Sequence, residues 1–318
     1  MKKIITLSLL TLTLMGTYGC SHEPVIPAYQ ASGELPTYQQ DSFDSYQEET
    51  QQWLASHRIF VSEDHQKEIE LNSPTEYQPD QPNGEAVLLV HGLGDSPYSF
   101  HDVATYLAQQ GYLVRTVLLP GHGSRVADLM LPSLEDWQGV VAHHTKLLQQ
   151  EYDSVWLGGY STGANLVTSQ AMKDETISGL LHSVIDTQYV ENAFSQSMPN
   201  PSNVMIWQGE QELSDPRAVR YSMKLPEQRI SNGSHMGLLF SPQNPYYGVN
   251  GSEKICSNGQ VEGLEEECQA GEETWYSAWG YQEPDKNHAR LTFNPYFEDN
   301  MHKLSEMMAS VSVMANSK

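Results

Sequence analysis

Positive charge is what this chain has least of: 17 Lys and Arg stand against 40 Asp and Glu in 318 residues, a formal net charge of −23 at pH 7. Such a surface repels phosphate backbones and anionic lipid headgroups alike, which excludes nucleic acid as a partner. Long apolar runs are missing too, and nowhere do about 18 apolar residues follow one another as a bilayer-spanning helix requires. Cysteine is scarce, with only Cys20, Cys256 and Cys268. Aromatic side chains are not scarce. Six Trp, 17 Tyr and 7 Phe within a 39% hydrophobic composition are too many for a disordered chain. The length lies near that of one large α/β domain, although about 150 residues per domain would allow two.

The first twenty residues differ from the rest. Lys2 and Lys3 precede an apolar stretch from Ile4 to Met15 that is too short to span, the layout of a signal peptide. Thr17-Tyr18-Gly19-Cys20 then resembles the cleavage box of bacterial lipoproteins, in which the cysteine becomes the lipidated N-terminus. Thr17 and Tyr18 stand where that box usually carries Leu and a small residue. The expectation is export to the cell envelope, facing the periplasm or cell surface, with a lipid on Cys20 as the only membrane contact. Residues 21–40 carry Pro, Ser, Gln and Tyr without periodicity and read as a tether, leaving 41–318 as a single domain. In an oxidising compartment the remaining even pair, Cys256 and Cys268, favours a disulfide. Two thiolates with no His between them do not complete a zinc site, and the acidic residues nearby follow no calcium-loop pattern.

Within the body, Phe43, Tyr46, Trp53 and Leu54 fall at helical spacing, and a polar strand region is expected from there to Asn83. Residues 86–90 (AVLLV) form a short continuous apolar run, as expected of a strand buried on both faces of a parallel sheet. Phe100, Val103, Ala104 and Leu107 predict a helix closed by Gly111, and residues 112–119 a second strand. Ser133 with Asp136 forms a capping box ahead of a long apolar stripe from Trp137 to Leu148. Strand-like runs recur at 155–159, 179–185 and 204–207, with a helix at 164–173 between them. This alternation predicts a doubly wound, mostly parallel sheet with helices on both faces.

Gly159-Tyr160-Ser161-Thr162-Gly163 falls where a predicted strand gives way to a helix, the setting of a nucleophile elbow. A serine hydroxyl is a weak nucleophile and needs a base oriented by a carboxylate. If acid and base follow the serine in the chain, the base is His235, His288 or His302. His235 lies in a glycine-bounded loop after a strand-like run ending at Ile230 and suits the role. His288 lies beyond an acidic segment and His302 on a predicted terminal helix. The acid should follow the strand at 204–209. Glu212 is third after Gly209, whereas Asp215 precedes Pro216 and could instead cap a helix; the choice between them stays open. The developing oxyanion needs backbone donors, expected from the amide of Thr162 and from Leu93 in His91-Gly92-Leu93-Gly94.

Taken together, residues 91–94 (HGLG), 119–123 (LPGHG), 159–163 (GYSTG), 208–212 (QGEQE) and 234–237 (SHMG) resemble the α/β-hydrolase superfamily. Within it they are most similar to the monoacylglycerol lipase, carboxylesterase and serine aminopeptidase-like branch. The resemblance covers about residues 85–237. It implies an α/β-hydrolase fold, Ser161 as nucleophile, His235 as base, an acid at the Glu212 position, oxyanion amides at Leu93 and Thr162, a small-molecule ester substrate and no cofactor. The family acid is normally Asp, which keeps Asp215 in play. Members usually insert a helical cap where this chain leaves only about residues 187–203, so the cap is expected to be short. The segment 241–288, aromatic, acidic and holding the cysteine pair, lies outside the resemblance and could wall the site or form a pinned surface loop. Peptidase, thioesterase and acyltransferase chemistry use the same machinery, and a non-catalytic envelope lipoprotein is the alternative from another class.

Overall fold

A computed structural model describes residues 30–60, 63–183 and 297–315, together with Pro27, Leu239, Ser241 and the strand segments 204–209, 227–230, 252–256, 273–277 and 280–282. Its frame is a seven-stranded sheet in the order β1-β3-β2-β4-β5-β6-β7. The strands are β1 (Glu76–Tyr77), β2 (Glu85–Val90), β3 (Leu113–Val117), β4 (Ser154–Tyr160), β5 (Gly179–Ser183), β6 (Val204–Gly209) and β7 (Glu227–Ile230). Only β1, at the edge, runs antiparallel to its neighbour; every other pairing is parallel. The predicted mostly parallel sheet is therefore the observed one.

Alternation along the central strand explains why both faces are covered. Ala86, Leu88 and Val90 point to one face and pack with Phe43, Tyr46, Val140, Val141 and Val167 from helices α1 (Phe43–His57), α4 (Leu134–Glu151) and α5 (Thr162–Ala171). Val87 and Leu89 point to the other and meet Val103 and Leu107 of α3 (His101–Gln109), with Phe297, Met301, Leu304 and Met308 of α6 (Phe297–Ala315). Those α6 positions recur at helical spacing, so one stripe of the last helix seals that face. The capping box expected at Ser133 is present: its hydroxyl accepts from the Asp136 amide at 3.2 Å and the Asp136 carboxylate accepts from the Ser133 amide at 2.8 Å.

The N-terminal part departs from expectation. Instead of a polar strand region, residues 65–72 form helix α2 (His65–Asn72), started by the Asp64 carboxylate accepting from the Lys67 amide. Polar composition hides this helix: Ile69 and Leu71 are its buried apolar side chains, and a buried ion pair adds to their hold. Arg58 and Glu68 meet at 2.7 Å with both side chains only 1% exposed. The guanidinium also donates to the Gly123 carbonyl, so helices α1 and α2 brace the loop after β3. Within the segment expected to be a tether, residues 30–40 lie against the body: the Ser32 amide donates to Asp128 and His143 bonds the Gln40 carbonyl at 2.8 Å.

His144 of α4 is a charge-free misfit in this core. Its ring lies 4.2 Å from that of Tyr46, neither ring nitrogen has a hydrogen-bond partner among the described residues, and burial pulls its pKa down to about 3. The unfolded chain therefore binds a proton near pH 6.5 that the folded chain refuses. Stability from this residue's neutral state is fully present above about pH 6.5 and is lost as pH falls toward about 3. His144→Leu is expected to leave stability at pH 7.5 unchanged or raised and to flatten the decline in unfolding temperature between pH 6.5 and 4, measured by calorimetry.

A second, three-stranded antiparallel sheet joins β8 (Ser252–Cys256), β9 (Glu273–Ser277) and β10 (Gly280–Gln282) in the order β10-β9-β8. It occupies the acidic segment read as an insert. Cys256 ends β8 opposite Glu273; Cys268 lies outside the described residues, as do Cys20, the expected signal peptide and the 187–203 cap region.

Candidate active site

Strand β4 ends at Tyr160 and helix α5 begins at Thr162, so Ser161 alone makes the turn. It does so at φ 52°, ψ −116°, and is the only non-glycine residue with positive φ among the described residues. A side chain in that conformation costs roughly 1–3 kcal/mol and persists only where the surroundings impose it. Here the surroundings are glycines with no room for anything larger. A Cβ on Gly163 would lie 1.9 Å from the Val90 carbonyl oxygen, and one on Gly159 would lie 2.5 Å from backbone atoms of Gly163 and Ala164. Helix α5 therefore presses its N-terminus onto the carboxyl end of β2, and the serine is held half-buried at the carboxyl edge of the sheet. In open α/β sheets this edge is where ligands bind.

The loop leaving β2 lies directly against the serine. A Cβ on Gly92 would come within 3.3 Å of Ser161 Cβ and 2.8 Å of the Tyr160 ring, so glycine permits the approach. Leu93, at the tip, is 58% exposed. Among the described residues, neither the Leu93 nor the Thr162 amide has an intrachain acceptor. Thr162 is the first residue of α5, where the helix dipole and free N–H groups favour negative charge. The structure thus brings Ser161, Leu93 and Thr162 into one small region.

Two buried histidines tie that loop down. His91 Nε2 accepts from the Leu119 amide at 3.0 Å while its Nδ1 bonds the Gly92 carbonyl at 2.8 Å. His122 Nε2 accepts from the Gly94 amide at 3.1 Å while its Nδ1 bonds the Leu119 carbonyl at 3.1 Å. These partners assign the proton to Nδ1 in both neutral rings, which meet edge to face at 4.8 Å. Burial keeps them uncharged, pulling His122 down to about 4 and His91 well below the usual imidazole range. Reading for a triad base considers only histidines after the serine and passes over this pair. The available signal is that each is followed by glycine, His91 directly after β2 and His122 in the loop that follows β3.

Glu212, Asp215 and His235 lie outside the described residues. What is described is the framing of the His235 segment: β7 ends at Ile230, Leu239 is fully buried among Tyr98, Phe100 and Val103, and the Ser241 amide donates to the Asp102 carboxylate at 2.6 Å. His302, on α6, is exposed beside Glu306 at 3.2 Å, on the solvent side of its helix; His288 is not among the described residues. No group of three or more His, Cys, Asp or Glu side chains among the described residues could hold a metal ion.

The sequence profile of the alpha/beta hydrolase family matches residues 87–250. A thermostable monoacylglycerol lipase from Bacillus sp. (strain H-257) is 32% identical over 95 residues, 30% of this chain and 38% of that protein. The match thus spans well under half of the relative's length. Among solved structures, one from work on two metagenome-derived lipolytic enzymes aligns over 52% of this chain and 90% of its own, at 16% identity and a TM-score of 0.41. A second, described as an α/β serine hydrolase without lid from Xanthomonas campestris, aligns over 52% of this chain and 80% of its own, at 19% identity and a TM-score of 0.40.

Proposed function

We propose that this chain, which belongs to the alpha/beta hydrolase family, is an exported serine hydrolase that cleaves carboxylic esters through an acyl-enzyme. The observation that carries the reading is the strained backbone of Ser161 at the β4–α5 junction. In this account the Ser161 hydroxyl attacks the acyl carbon as His235 accepts its proton. The negative charge on the former carbonyl oxygen is held by the Leu93 and Thr162 amides until the C–O bond to the alcohol breaks. His235 delivers the proton to the departing alkoxide. It then activates water, which attacks the acyl carbon, releases the acid and restores Ser161. Glu212, with Asp215 as the alternative, orients His235 and stabilises its charged form. No cofactor enters these steps.

The relative named a monoacylglycerol lipase supports an ester with an apolar acyl chain, over the third of the chain that it matches. Hydrolysis of p-nitrophenyl esters of graded acyl length, run with the mature chain, tests the reaction class. Saturable release of p-nitrophenol that disappears in a Ser161 variant is the expected result. Activity on none of the esters, with turnover of anilides or thioesters instead, would move the reading to a peptidase or thioesterase.

Export with a lipid on Cys20 and a Cys256–Cys268 disulfide belong to the same proposal. Closing so short a loop restricts the unfolded chain by something on the order of 3 kcal/mol. If the segment that carries it also walls the site, reduction should lower activity on long esters more than on short ones, since each methylene contact is worth roughly 0.8 kcal/mol. Mass spectrometry of unreduced protein, followed by chain-length profiles with and without reductant, checks both points. Two free thiols, or a profile untouched by reduction, would reject the respective part.

A further inference from the structure

We propose that His91 and His122 are positioning residues that hold two successive peptide planes of the 92–94 loop so that the Leu93 amide faces Ser161. This rests on the reading of Ser161 as an acyl-transfer nucleophile. The peptide joining Gly92 to Leu93 carries both the Gly92 carbonyl and the Leu93 N–H. Among the described residues no cis peptide bond is present, so in that plane the two groups point in opposite directions. His91 Nδ1–H donates to the Gly92 carbonyl at 2.8 Å and thereby holds it on the buried side. The Leu93 N–H therefore lies on the side of the plane away from the Gly92 carbonyl, in a loop whose Gly92 backbone lies against Ser161. A flip of this plane would place a carbonyl oxygen where the oxyanion must form.

The next plane, Leu93 to Gly94, is held by the Gly94 N–H donating to His122 Nε2 at 3.1 Å. Gly94 has φ 72°, open to glycine at little cost, so its own conformation does not fix the loop and the imidazole must. The weak turn bond from the Asp95 amide to the Gly92 carbonyl, at 3.4 Å, adds little. Both rings are anchored to residues 119–120 of the loop after β3: His91 accepts from the Leu119 amide, and His122 Nδ1 faces the Leu119 and Pro120 carbonyls. That loop is in turn braced by Arg58 through the Gly123 carbonyl.

The two histidines work through opposite nitrogens, so their conservative replacements should rescue oppositely. Asn places a donor near Nδ1 and Gln an acceptor near Nε2. His91→Asn should keep the bond to Gly92, with kcat within about fivefold of wild type, and His91→Gln should lose it. At position 122 the order reverses: His122→Gln should keep Gly94 held, whereas His122→Asn should not. Removing an oxyanion donor outright costs about 10²–10³ in kcat, so misaiming one should cost about 10–100-fold, with KM within about twofold. Steady-state kinetics of the four variants on a short p-nitrophenyl ester, with thermal unfolding of each, read this directly. A packing role for the rings would not produce the crossed pattern.

Equal losses for Asn and Gln at each position, or kcat unchanged in all four, would overturn the proposal. If a variant fails to fold, hydrogen exchange of the Gly94 amide in wild-type protein decides instead: a protected amide is expected, and exchange at the rate of a free loop would overturn it. Wild-type protein without Ser161-dependent hydrolysis would overturn the reading of the reaction, and this inference with it. Active wild type with uncrossed variants overturns this inference alone.

Discussion

Replacing Ser161 by alanine is expected to lower ester turnover by about 10⁴- to 10⁶-fold, the scale seen when a triad nucleophile is removed. The fold should survive, because the residue's positive φ is imposed by Gly159, Gly163 and the end of β2 rather than by its hydroxyl. Alanine inherits the same backbone strain, so its unfolding temperature should stay close to wild type. Glycine adopts φ 52° without a Cβ penalty, so Ser161→Gly should be as inactive as the alanine variant yet more stable. Inactivity joined to increased stability would mark a residue kept in a strained place for its chemistry. His235→Ala should be about as severe as Ser161→Ala in turnover, because nucleophile and base act as a unit. Circular dichroism melts beside steady-state kinetics check all three variants.

The second large effect concerns the carboxylate. Glu212→Gln is expected to remove most of the activity, leaving His235 without the anion that fixes its tautomer and stabilises its protonated form. A change of this kind can cost about 10⁴ in kcat. Asp215→Asn should leave activity and stability nearly unchanged if Asp215 caps a helix beginning at Pro216, because Asn caps about as well as Asp, whereas Asp215→Ala should cost about 1 kcal/mol of stability. Kinetics and chemical denaturation of the purified variants separate the roles, and the reverse ranking would transfer the triad acid to Asp215. Both residues follow β6, whose carboxyl end at Gly209 lies two strands from β4 in the sheet order, on the same edge as Ser161.

Much of the fold was legible because its signals are local. The apolar run of β2, the Ser133 capping box and the glycine-flanked elbow each announce an element within a few residues. Helix α2 was not legible: its sequence HQKEIELN has little apolar periodicity, with only Ile69 and Leu71 buried as apolar side chains, and the buried Arg58–Glu68 pair that adds to its hold is a tertiary fact. The His91 and His122 ties escape sequence reading for a related reason. Their partners are backbone atoms, the Leu119 amide 28 residues from His91 and the Gly94 amide 28 residues from His122, and backbone groups leave no side-chain signature. At the candidate site, Leu93 and Thr162 are proposed as oxyanion donors from where the strands end. Glu212, Asp215 and His235 are assigned from chain order and loop length, and the variants above bear on them directly.

The most direct measurement of the central claim is to treat the mature protein with a fluorophosphonate, digest it and locate the adduct by mass spectrometry. The account predicts one stoichiometric phosphonyl group on the peptide containing Gly159-Tyr160-Ser161-Thr162-Gly163, attached to Ser161, and none in Ser161→Ala. An unlabelled wild-type chain, or an adduct on another residue that persists in Ser161→Ala, would contradict it.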